Sequence, residues 1–259
     1  MSKVRVLVLR VAGTNCDMET AYAFERAGAE AEQVHINRIL DGTRKLTEYE
    51  ILAVPGGFSY GDDIAAGTVL ANQLSIQLGE EIKSFLEEGK LVIGICNGFQ
   101  ALVKAGFLPA GLGRKPGLAT LAFNDSGKFE DRWVYLEVED TKCVFLDGIE
   151  RLYLPVAHAE GKFMVPKGEM LEELGRKGQI ALRYVNAQGE RDGYPWNPNG
   201  SMGNVAGICD ETGRIFGLMP HPERHVESFH HPRWTRAGLA EEGEGLAIFR
   251  NAVRFAETL

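Results

Sequence analysis

Short apolar segments alternate with amphipathic segments through the first half of the chain. The apolar segments predict strands, at residues 4–11, 31–36, 51–55 and 91–95. The amphipathic segments predict helices, at residues 18–27, about 64–78, about 81–88 and 97–105. Strands that alternate with helices in this way are typical of a parallel sheet covered by helices on both faces.

The second half has a more strand-like pattern after about residue 117. Further strands are predicted at residues 132–138, 152–156, 180–185, 205–209 and 214–218, the last two joined by a turn at 210–213. A closing amphipathic helix is predicted at 245–259, and polar loops at 186–203 and 225–245. The pattern therefore predicts an α/β fold, a three-layer sandwich with a mostly parallel central sheet and extra β-hairpins in its second half.

Composition and charge exclude several classes of protein. The 259 residues are 44% hydrophobic and 25% charged, typical of a globular domain, and we expect one domain spanning residues 1–259. A formal net charge of −8, with Lys and Arg scattered along the chain, argues against nucleic acid as a partner. No apolar run approaches the roughly 20 residues that span a bilayer, and the first residues lack a signal-peptide pattern. We therefore expect no membrane association and a cytoplasmic location.

One of the four cysteines lies in a context that favours chemistry. The strand at 91–95 leads into Gly94-Ile95-Cys96-Asn97-Gly98 and then into a helix, which is the nucleophile-elbow pattern with cysteine in place of serine. The two glycines leave room for a sharp turn, and the start of the helix favours thiolate over thiol. The alternative is that Cys96 is a small buried core residue, the usual role of a free cysteine.

The remaining cysteines have no such context and no C-x-x-C spacing, so neither a zinc ribbon nor a disulfide framework is predicted. We expect them to pack in the interior, at Cys16, Cys143 and Cys209; a role in chemistry is a lesser alternative for Cys16, which lies in a turn.

A nucleophilic thiolate needs a base to carry protons and a group that orients the base. The segment Pro220-His221-Pro222-Glu223 follows the predicted strand at 214–218, so it should also emerge at a sheet edge. His221 is the candidate base and Glu223 its candidate orienting group; the alternative is a surface loop with an ordinary ion pair. The histidines of this region have no ordered ligand spacing, so no metal site is predicted at His221, His225, His230 and His231.

The glycine-rich loop after the strand at 51–55 is the third candidate element. The Gly57 N–H, together with the amide of Asn97, is a candidate donor to an oxyanion. A tight turn without a catalytic role is equally consistent with this segment. Asp62 and Asp63 follow in the same loop, where helix capping explains them better than acid–base catalysis.

Together, these segments resemble the triad class of glutamine amidotransferases. Within that class they resemble the glutaminase components of phosphoribosylformylglycinamidine synthases, which act in purine biosynthesis. The motifs that carry the resemblance run along nearly the whole chain: Gly13-Thr14-Asn15-Cys16-Asp17, residues 55–63, the elbow around Cys96, and residues 124–133, 158–163, 197–201 and 220–224.

This resemblance implies a flavodoxin-like fold and a role for each candidate residue. The implied roles are nucleophile for Cys96, general base for His221, orienting group for Glu223, oxyanion donors for Gly57 and Asn97, and a glutamine contact for Gln100. The resemblance implies no metal and no other cofactor in this chain.

It also implies partners. Ammonia from L-glutamine would pass to a separate synthetase subunit, which holds ATP and Mg²⁺ and converts formylglycinamide ribonucleotide to formylglycinamidine ribonucleotide. A small accessory subunit would complete the complex. Two alternatives stay open from the sequence: a stand-alone γ-glutamyl hydrolase or peptidase on the same scaffold, and a non-catalytic flavodoxin-like interaction module in which Cys96 only packs.

Overall fold

A mixed β-sheet runs through the middle of the protein. The computed structural model describes residues 3–259, except for the side chain of Ala237. The strands lie at Arg5–Arg10 (β1), Glu30–His35 (β2), Ile51–Val54 (β3), Leu91–Ile95 (β4), Thr120–Ala122 (β5), Glu130–Val138 (β6), Arg151–His158 (β7), Lys162–Met164 (β8), Ile180–Val185 (β9), Val205–Cys209 (β10) and Ile215–Leu218 (β11). The α-helices lie at Asp17–Arg26 (α1), Ile36–Leu40 (α2), Thr68–Asn72 (α3), Gly79–Glu87 (α4), Asn97–Lys104 (α5), Gly168–Arg176 (α6), Trp234–Ala237 (α7) and Leu246–Ala256 (α8).

The central sheet has the strand order β2-β1-β3-β4-β11-β10-β9-β6-β7, and β5 pairs with β8 outside it. Neighbours from β2 to β11 are parallel, whereas neighbours from β11 to β7 are antiparallel. The antiparallel region includes the predicted hairpin of β10 and β11 and the long pairing of β6 with β7. The predicted α/β sandwich, with a mostly parallel sheet and added hairpins, is confirmed.

The parallel strands form where the sequence is apolar without alternation. Every residue of β3, β4 and β11 is buried, because helices cover both faces of this region. Along the sheet, β2 lies on one side of β1, whereas β4 lies on the opposite side of β3. Because both crossovers are right-handed, α1, which joins β1 to β2, and α3–α4, which join β3 to β4, cover opposite faces of the sheet. The carboxyl ends of β1, β3, β4 and β11 consequently meet at one edge of the sheet.

The predicted helix at about 64–78 is shorter in the structure. α3 begins only at Thr68, and a π-helical turn at Gln73–Gln77 continues it. The Asp62 carboxylate accepts a hydrogen bond of 3.1 Å from the N–H of Gly67, directly before α3, which matches the predicted capping role. The loop is therefore held in an irregular conformation up to the start of the helix.

Several elements differ from the pattern-based prediction. β6 and β7 pair from Glu130 opposite His158 to Glu137 opposite Arg151, so both strands extend beyond their predicted limits. The elements α2, α7, β5 and β8 were not predicted, because none is longer than five residues and a periodic pattern needs a longer segment. The nine-residue helix α6 was also missed, although its sequence is clearly amphipathic. None of the described helices is long and apolar enough to cross a membrane.

Candidate active site

The turn between β4 and α5 places Cys96 in a backbone conformation that few residues adopt. Its φ is 51° and its ψ is −105°, which is strained for a residue with a side chain. The glycines on either side are required by close packing: a Cβ on Gly94 would lie 2.6 Å from a methyl carbon of Leu102, and a Cβ on Gly98 would overlap the carbonyl of Val54. This is the sharp turn that the elbow motif predicts.

The thiol of Cys96 is buried between the end of β7 and the start of α5. The residue is 5% exposed, and its Sγ lies 3.7 Å from the carbonyl oxygen of Ala157. The Cys96 N–H donates a 2.8 Å hydrogen bond to Leu218 at the end of β11. The first N–H groups of α5, beginning with Asn97, have no acceptor within the helix and remain available to an anion.

The side chain of His221 is hydrogen-bonded to Glu223, and its backbone N–H is hydrogen-bonded to β7. Nδ1 of His221 lies 2.6 Å from Oε1 of Glu223, and both residues are 2% exposed. The His221 N–H donates a 2.8 Å hydrogen bond to the carbonyl of Pro155 in β7. Because a carboxylate only accepts, Nδ1 carries the proton of this bond. Nε2 has no hydrogen-bond partner among the described residues and is the nitrogen left for proton transfer.

The surroundings of His221 favour its protonated form. Burial by itself lowers the pKa of this imidazole, but the charges of Glu223 and Cys96 outweigh burial. The pKa of His221 therefore stands well above its ordinary value of 6.5. Such an environment stabilises an imidazolium next to a thiolate.

Gly56 marks the point where the distant segments meet. A Cβ on this residue would lie 2.9 Å from Cε1 of His221, 3.0 Å from Sγ of Cys16 and 3.5 Å from Cβ of Cys96. One methyl-sized space is thus shared by the imidazole, the elbow cysteine and a second cysteine. The structure brings together the three residues that the sequence predicted as a triad.

Cys16 is buried, as predicted, but its position against the candidate triad was not predicted from the sequence. It is 1% exposed, and Nη2 of Arg224 lies 3.2 Å from its Sγ. Burial is the main cause that raises the pKa of Cys16 to about 11. One signal was available: Cys16 follows β1, and the carboxyl ends of β1, β4 and β11 lie at the same edge of the sheet.

The backbone of the glycine-rich loop leaves one N–H free near the elbow. Gly57 opposes Thr14 in an isolated antiparallel bridge, flanked by the bonds from Phe58 N–H to Gly13 and from Asn15 N–H to Gly56. The Gly57 N–H itself makes no backbone hydrogen bond to a described residue. Its φ of 146°, together with the 2.7 Å that would separate a Cβ from the oxygen of Gly13, requires glycine at this position.

A family model described as the CobB/CobQ-like glutamine amidotransferase domain matches residues 3–256. The chain belongs to this family. The phosphoribosylformylglycinamidine synthase subunit PurQ of Dehalococcoides mccartyi is 55% identical over 99% of both chains, and that of Archaeoglobus fulgidus is 44% identical over 99% of this chain and 98% of the relative. The structure of PurLQS from Thermotoga maritima matches 98% of this chain and 99% of that chain, with a TM-score of 0.75 and 33% identity.

In this glutamine amidotransferase domain, Asn97 and Gln100 connect the loops around the site. The Asn97 amide accepts from Ser59 N–H at 3.1 Å and donates to Asp62 Oδ1 at 3.1 Å and to Gln100 Oε1 at 3.0 Å. Gln100 in turn donates from Nε2 to the carbonyl of Glu160 at 2.5 Å. Both ends of the Gln100 amide are therefore bonded within the protein, and its contact with glutamine stays a prediction.

Three of the segments that carried the resemblance, at 124–133, 158–163 and 197–201, form one buried network in this amidotransferase domain. Asn124 donates to the carbonyl of His158 at 2.8 Å and accepts from the N–H of Gly161 at 3.1 Å. Asn199 donates to the carbonyl of Gly161 at 2.8 Å. Burial, with a smaller effect of the His221 charge, lowers the pKa of His158 to about 3, so this imidazole stays neutral. The network positions the end of β7, whose carbonyls reach Cys96 and His221.

Proposed function

We propose that this chain is the glutaminase subunit of a phosphoribosylformylglycinamidine synthase. It hydrolyses L-glutamine to glutamate and ammonia and delivers the ammonia to a synthetase partner. The observation that carries the proposal is the strained elbow cysteine beside a buried His221–Glu223 pair. The near-complete overlap with PurQ subunits supports the choice of this synthase.

The first half of the reaction forms a thioester. The Cys96 thiolate attacks the side-chain amide carbon of glutamine, and the N–H groups of Gly57 and Asn97 stabilise the oxyanion. His221, protonated on Nε2, donates this proton to the departing nitrogen, which leaves as ammonia. Glu223 keeps the Nδ1 proton in place and stabilises the imidazolium.

The second half of the reaction restores the enzyme. Water attacks the thioester carbon while His221, now neutral, accepts a proton from the water. The same backbone N–H groups stabilise the second oxyanion. When the C–S bond breaks, glutamate leaves and the Cys96 thiolate and the His221 imidazolium are formed again. This chemistry uses a thiol, an imidazole, a carboxylate and backbone donors, and it needs no cofactor on this chain.

The ammonia is used by a partner. In our proposal a synthetase subunit holds ATP and Mg²⁺ and converts formylglycinamide ribonucleotide to formylglycinamidine ribonucleotide. A small accessory subunit completes the complex. The similarity to a chain of the PurLQS structure from Thermotoga maritima supports an assembly of this kind.

The test is glutamine hydrolysis by the wild type and by Cys96→Ser, each with and without the synthetase, its nucleotide substrate and ATP. We expect Cys96→Ser to lose activity by about a thousandfold or more, since the nucleophile is removed. Cys143→Ser changes a buried cysteine outside the site and serves as the matched control. Full activity of Cys96→Ser in the assembled complex would overturn the proposal.

The same assay separates the two alternatives. A stand-alone γ-glutamyl hydrolase or peptidase would show no stimulation by the synthetase. A non-catalytic module would leave Cys96 unmodified by an alkylating glutamine analogue, whereas the proposed function predicts a single adduct at that sulfur.

A further inference from the structure

The free edge of strand β7 carries a row of backbone carbonyl groups beside the candidate triad. β7 is the last strand of the sheet, so one side of its backbone has no neighbouring strand. The Ala157 carbonyl oxygen lies 3.7 Å from Sγ of Cys96, and the Pro155 carbonyl accepts from the N–H of His221 at 2.8 Å. Carbonyls two residues apart on a strand are separated by about 6.6 Å, so this edge sets the spacing between the elbow and the segment of His221.

A third carbonyl of the same edge is used by a residue outside the triad. Nδ1 of His225 lies 2.9 Å from the carbonyl oxygen of Tyr153. A carbonyl group only accepts hydrogen bonds, so Nδ1 of His225 carries the proton of this bond. His225 is 2% exposed, and the proposed reaction uses neither its imidazole nor its backbone.

We propose that His225 is a positioning residue, which fixes the place of residues 221–225, the catalytic turn, along β7. The middle of this turn is the short 3-10 helix Pro222–Arg224, which includes Glu223. The turn is attached to the strand at both ends, through the backbone N–H of His221 and through the imidazole of His225. Loss of the second attachment would let the His221 imidazole move relative to Cys96. The attachment is independent of the proposed function, whereas its effect on glutamine hydrolysis rests on that function.

The backbone of His225 is itself held in place, so its imidazole can act as an anchor. The His225 N–H donates to the carbonyl of Pro222 at 3.0 Å, which closes the turn. The His225 carbonyl accepts from the N–H of Gly245 at 2.9 Å, directly before α8. A Cβ on Gly243 would lie 2.3 Å from this carbonyl oxygen, so the segment before α8 packs directly against it.

The other partner of the bond, Tyr153, is held from a second direction. Its N–H donates to Oε2 of Glu244 at 2.5 Å, so both backbone groups of Tyr153 on the free edge are bonded to side chains. The ring of Trp133 in β6 lies 5.0 Å from the imidazole of His225, measured between ring centroids, and is nearly perpendicular to it. His225 therefore joins β6, β7 and the catalytic turn.

Two substitutions separate the hydrogen bond of His225 from the packing of its ring. His225→Phe keeps an aromatic ring against Trp133 but has no donor for the carbonyl of Tyr153. His225→Asn loses the ring but keeps a side-chain N–H donor close to the backbone. Positioning through the hydrogen bond predicts that His225→Asn is more active than His225→Phe, whereas a packing role predicts the reverse order.

His231→Phe is the matched control. The ring of His231 lies in the same aromatic cluster, 6.1 Å from Trp133 and 5.4 Å from Tyr153 between ring centroids. Its Nδ1 accepts from the N–H of Arg233 and, within the described part of the chain, does not bond to β7. We expect this variant to behave like the wild type in each measurement.

The first measurement needs no glutamine. The rate of Cys96 alkylation by iodoacetamide at neutral pH is followed by mass spectrometry, because the thiolate is the reacting form and a nearby imidazolium stabilises it. We expect His225→Phe to slow this alkylation by about tenfold, while His225→Asn recovers most of the rate. Equal rates in all variants would overturn the proposal, and so would a rate for His225→Asn no faster than that for His225→Phe.

The protonation state of His225 is a second measurement, made on the wild type alone. Nitrogen NMR of histidine-labelled protein in mildly alkaline buffer should show a neutral His225 imidazole that is protonated on Nδ1. A proton on Nε2 instead would exclude the bond to Tyr153 and overturn the proposal. Thermal unfolding checks that each variant is folded, and the NMR result decides even if the variants are unstable.

Glutamine hydrolysis in the synthetase complex is the third measurement. Displacement of the His221 imidazole should lower kcat of His225→Phe by about ten- to a hundredfold, with little change in KM. His225→Asn should recover most of the loss. A wild-type kcat in His225→Phe would overturn the positioning role. Absence of hydrolysis by the wild type, together with the expected order of alkylation rates, would contradict the proposed function but support the role of His225.

Discussion

At the scale of single residues, His221 carries the proposed reaction, and its two nitrogens have different neighbours. Nδ1 is bonded to Glu223 at 2.6 Å, and Nε2 is left for substrate. The negative charge of Glu223 is the largest of the effects that raise the pKa of His221. Glu223 therefore contributes the most to the ability of this imidazole to donate a proton at neutral pH.

Glu223→Gln tests this dependence through the pH profile. Thioester formation needs protonated His221, so the rate falls as pH rises through the pKa of His221. Removal of the carboxylate charge lowers this pKa, and the alkaline limb of kcat/KM should move to lower pH. The profile is measured for glutamine hydrolysis by the synthetase complex. An unshifted alkaline limb would contradict the role of Glu223.

Gly56→Ala tests the shared space at the centre of the site. Gly56 does not have a positive φ, so alanine fits the backbone, but its Cβ would lie 2.9 Å from the imidazole of His221. Displacement of the imidazole by about 1 Å should reduce kcat/KM by about a hundredfold. Overpacking should cost about 1 to 3 kcal/mol in the free energy of unfolding.

The matched control for this change is Gly113→Ala, where a Cβ would meet no atom within 4 Å and φ is not positive. Its activity should equal that of the wild type. Wild-type activity of Gly56→Ala would show that the imidazole and the two cysteines are less closely packed than the structure has them.

At the scale of elements, the site is formed by the ends of the parallel strands and by the end of the edge strand β7. The carboxyl ends of β3, β4 and β11 contribute the glycine-rich loop, Cys96 and His221. The edge strand β7 returns to the same place, where Pro155 accepts from the His221 N–H at 2.8 Å and Ala157 lies 3.7 Å from Cys96 Sγ. The network of Asn124 and Asn199 holds this strand end in position.

Asn199→Ala tests whether the network supports the site. Asn199 is fully buried, and its loss removes the donor to Gly161 and the acceptor of the Ser201 hydroxyl at 2.7 Å. Unsatisfied partners should lower the free energy of unfolding by roughly 1 to 3 kcal/mol. We also expect kcat/KM to fall by about tenfold, because the end of β7 loses its support.

The free energy of unfolding is measured by urea denaturation, with Asn37→Ala as control. The Asn37 side chain is exposed and makes no hydrogen bond to the described part of the chain. Equal stability of Asn199→Ala and Asn37→Ala would mean that the network does not hold the strand end.

At the scale of the whole molecule, the glycine-rich loop connects the site with the outer surface. Asn97 bonds to this loop at Ser59 and Asp62, while Phe58 and Ile64 of the same loop are 48% and 75% exposed. We propose that these two exposed apolar side chains contribute to the surface that the synthetase covers. Through Asn97, a partner that contacts this loop would act on the residue next to Cys96.

Ile64→Asp should weaken the complex with the synthetase by about 10- to 100-fold in Kd, as for the loss of a central apolar contact. The change leaves the core intact, so thermal unfolding of the isolated chain should stay the same. Ile76→Asp is the control. Ile76 is equally exposed, at 79%, but it lies in the π-helical turn after α3 and not in the glycine-rich loop. The two Kd values are measured by calorimetry. Equal weakening by both variants would rule out a specific contact at the loop.

The sequence predicted most of the fold because its signals are local. Unbroken apolar runs indicated the parallel strands, and glycines two residues either side of Cys96 indicated the elbow. His221 and Glu223 are two residues apart, so their pairing was also a local prediction. The position of Cys16 and the buried network were missed, since their contacts join segments far apart along the chain.

The sequence by itself determined the succession of strands and helices, the sharp turn at Cys96 and the chemistry available at the strand ends. These depend on backbone geometry and on side chains that are neighbours along the chain. Only the tertiary structure decided that Cys16 lies against His221 and that the end of β7 returns to Cys96. Those contacts depend on the order, register and twist of nine strands, and no short segment of the chain specifies them.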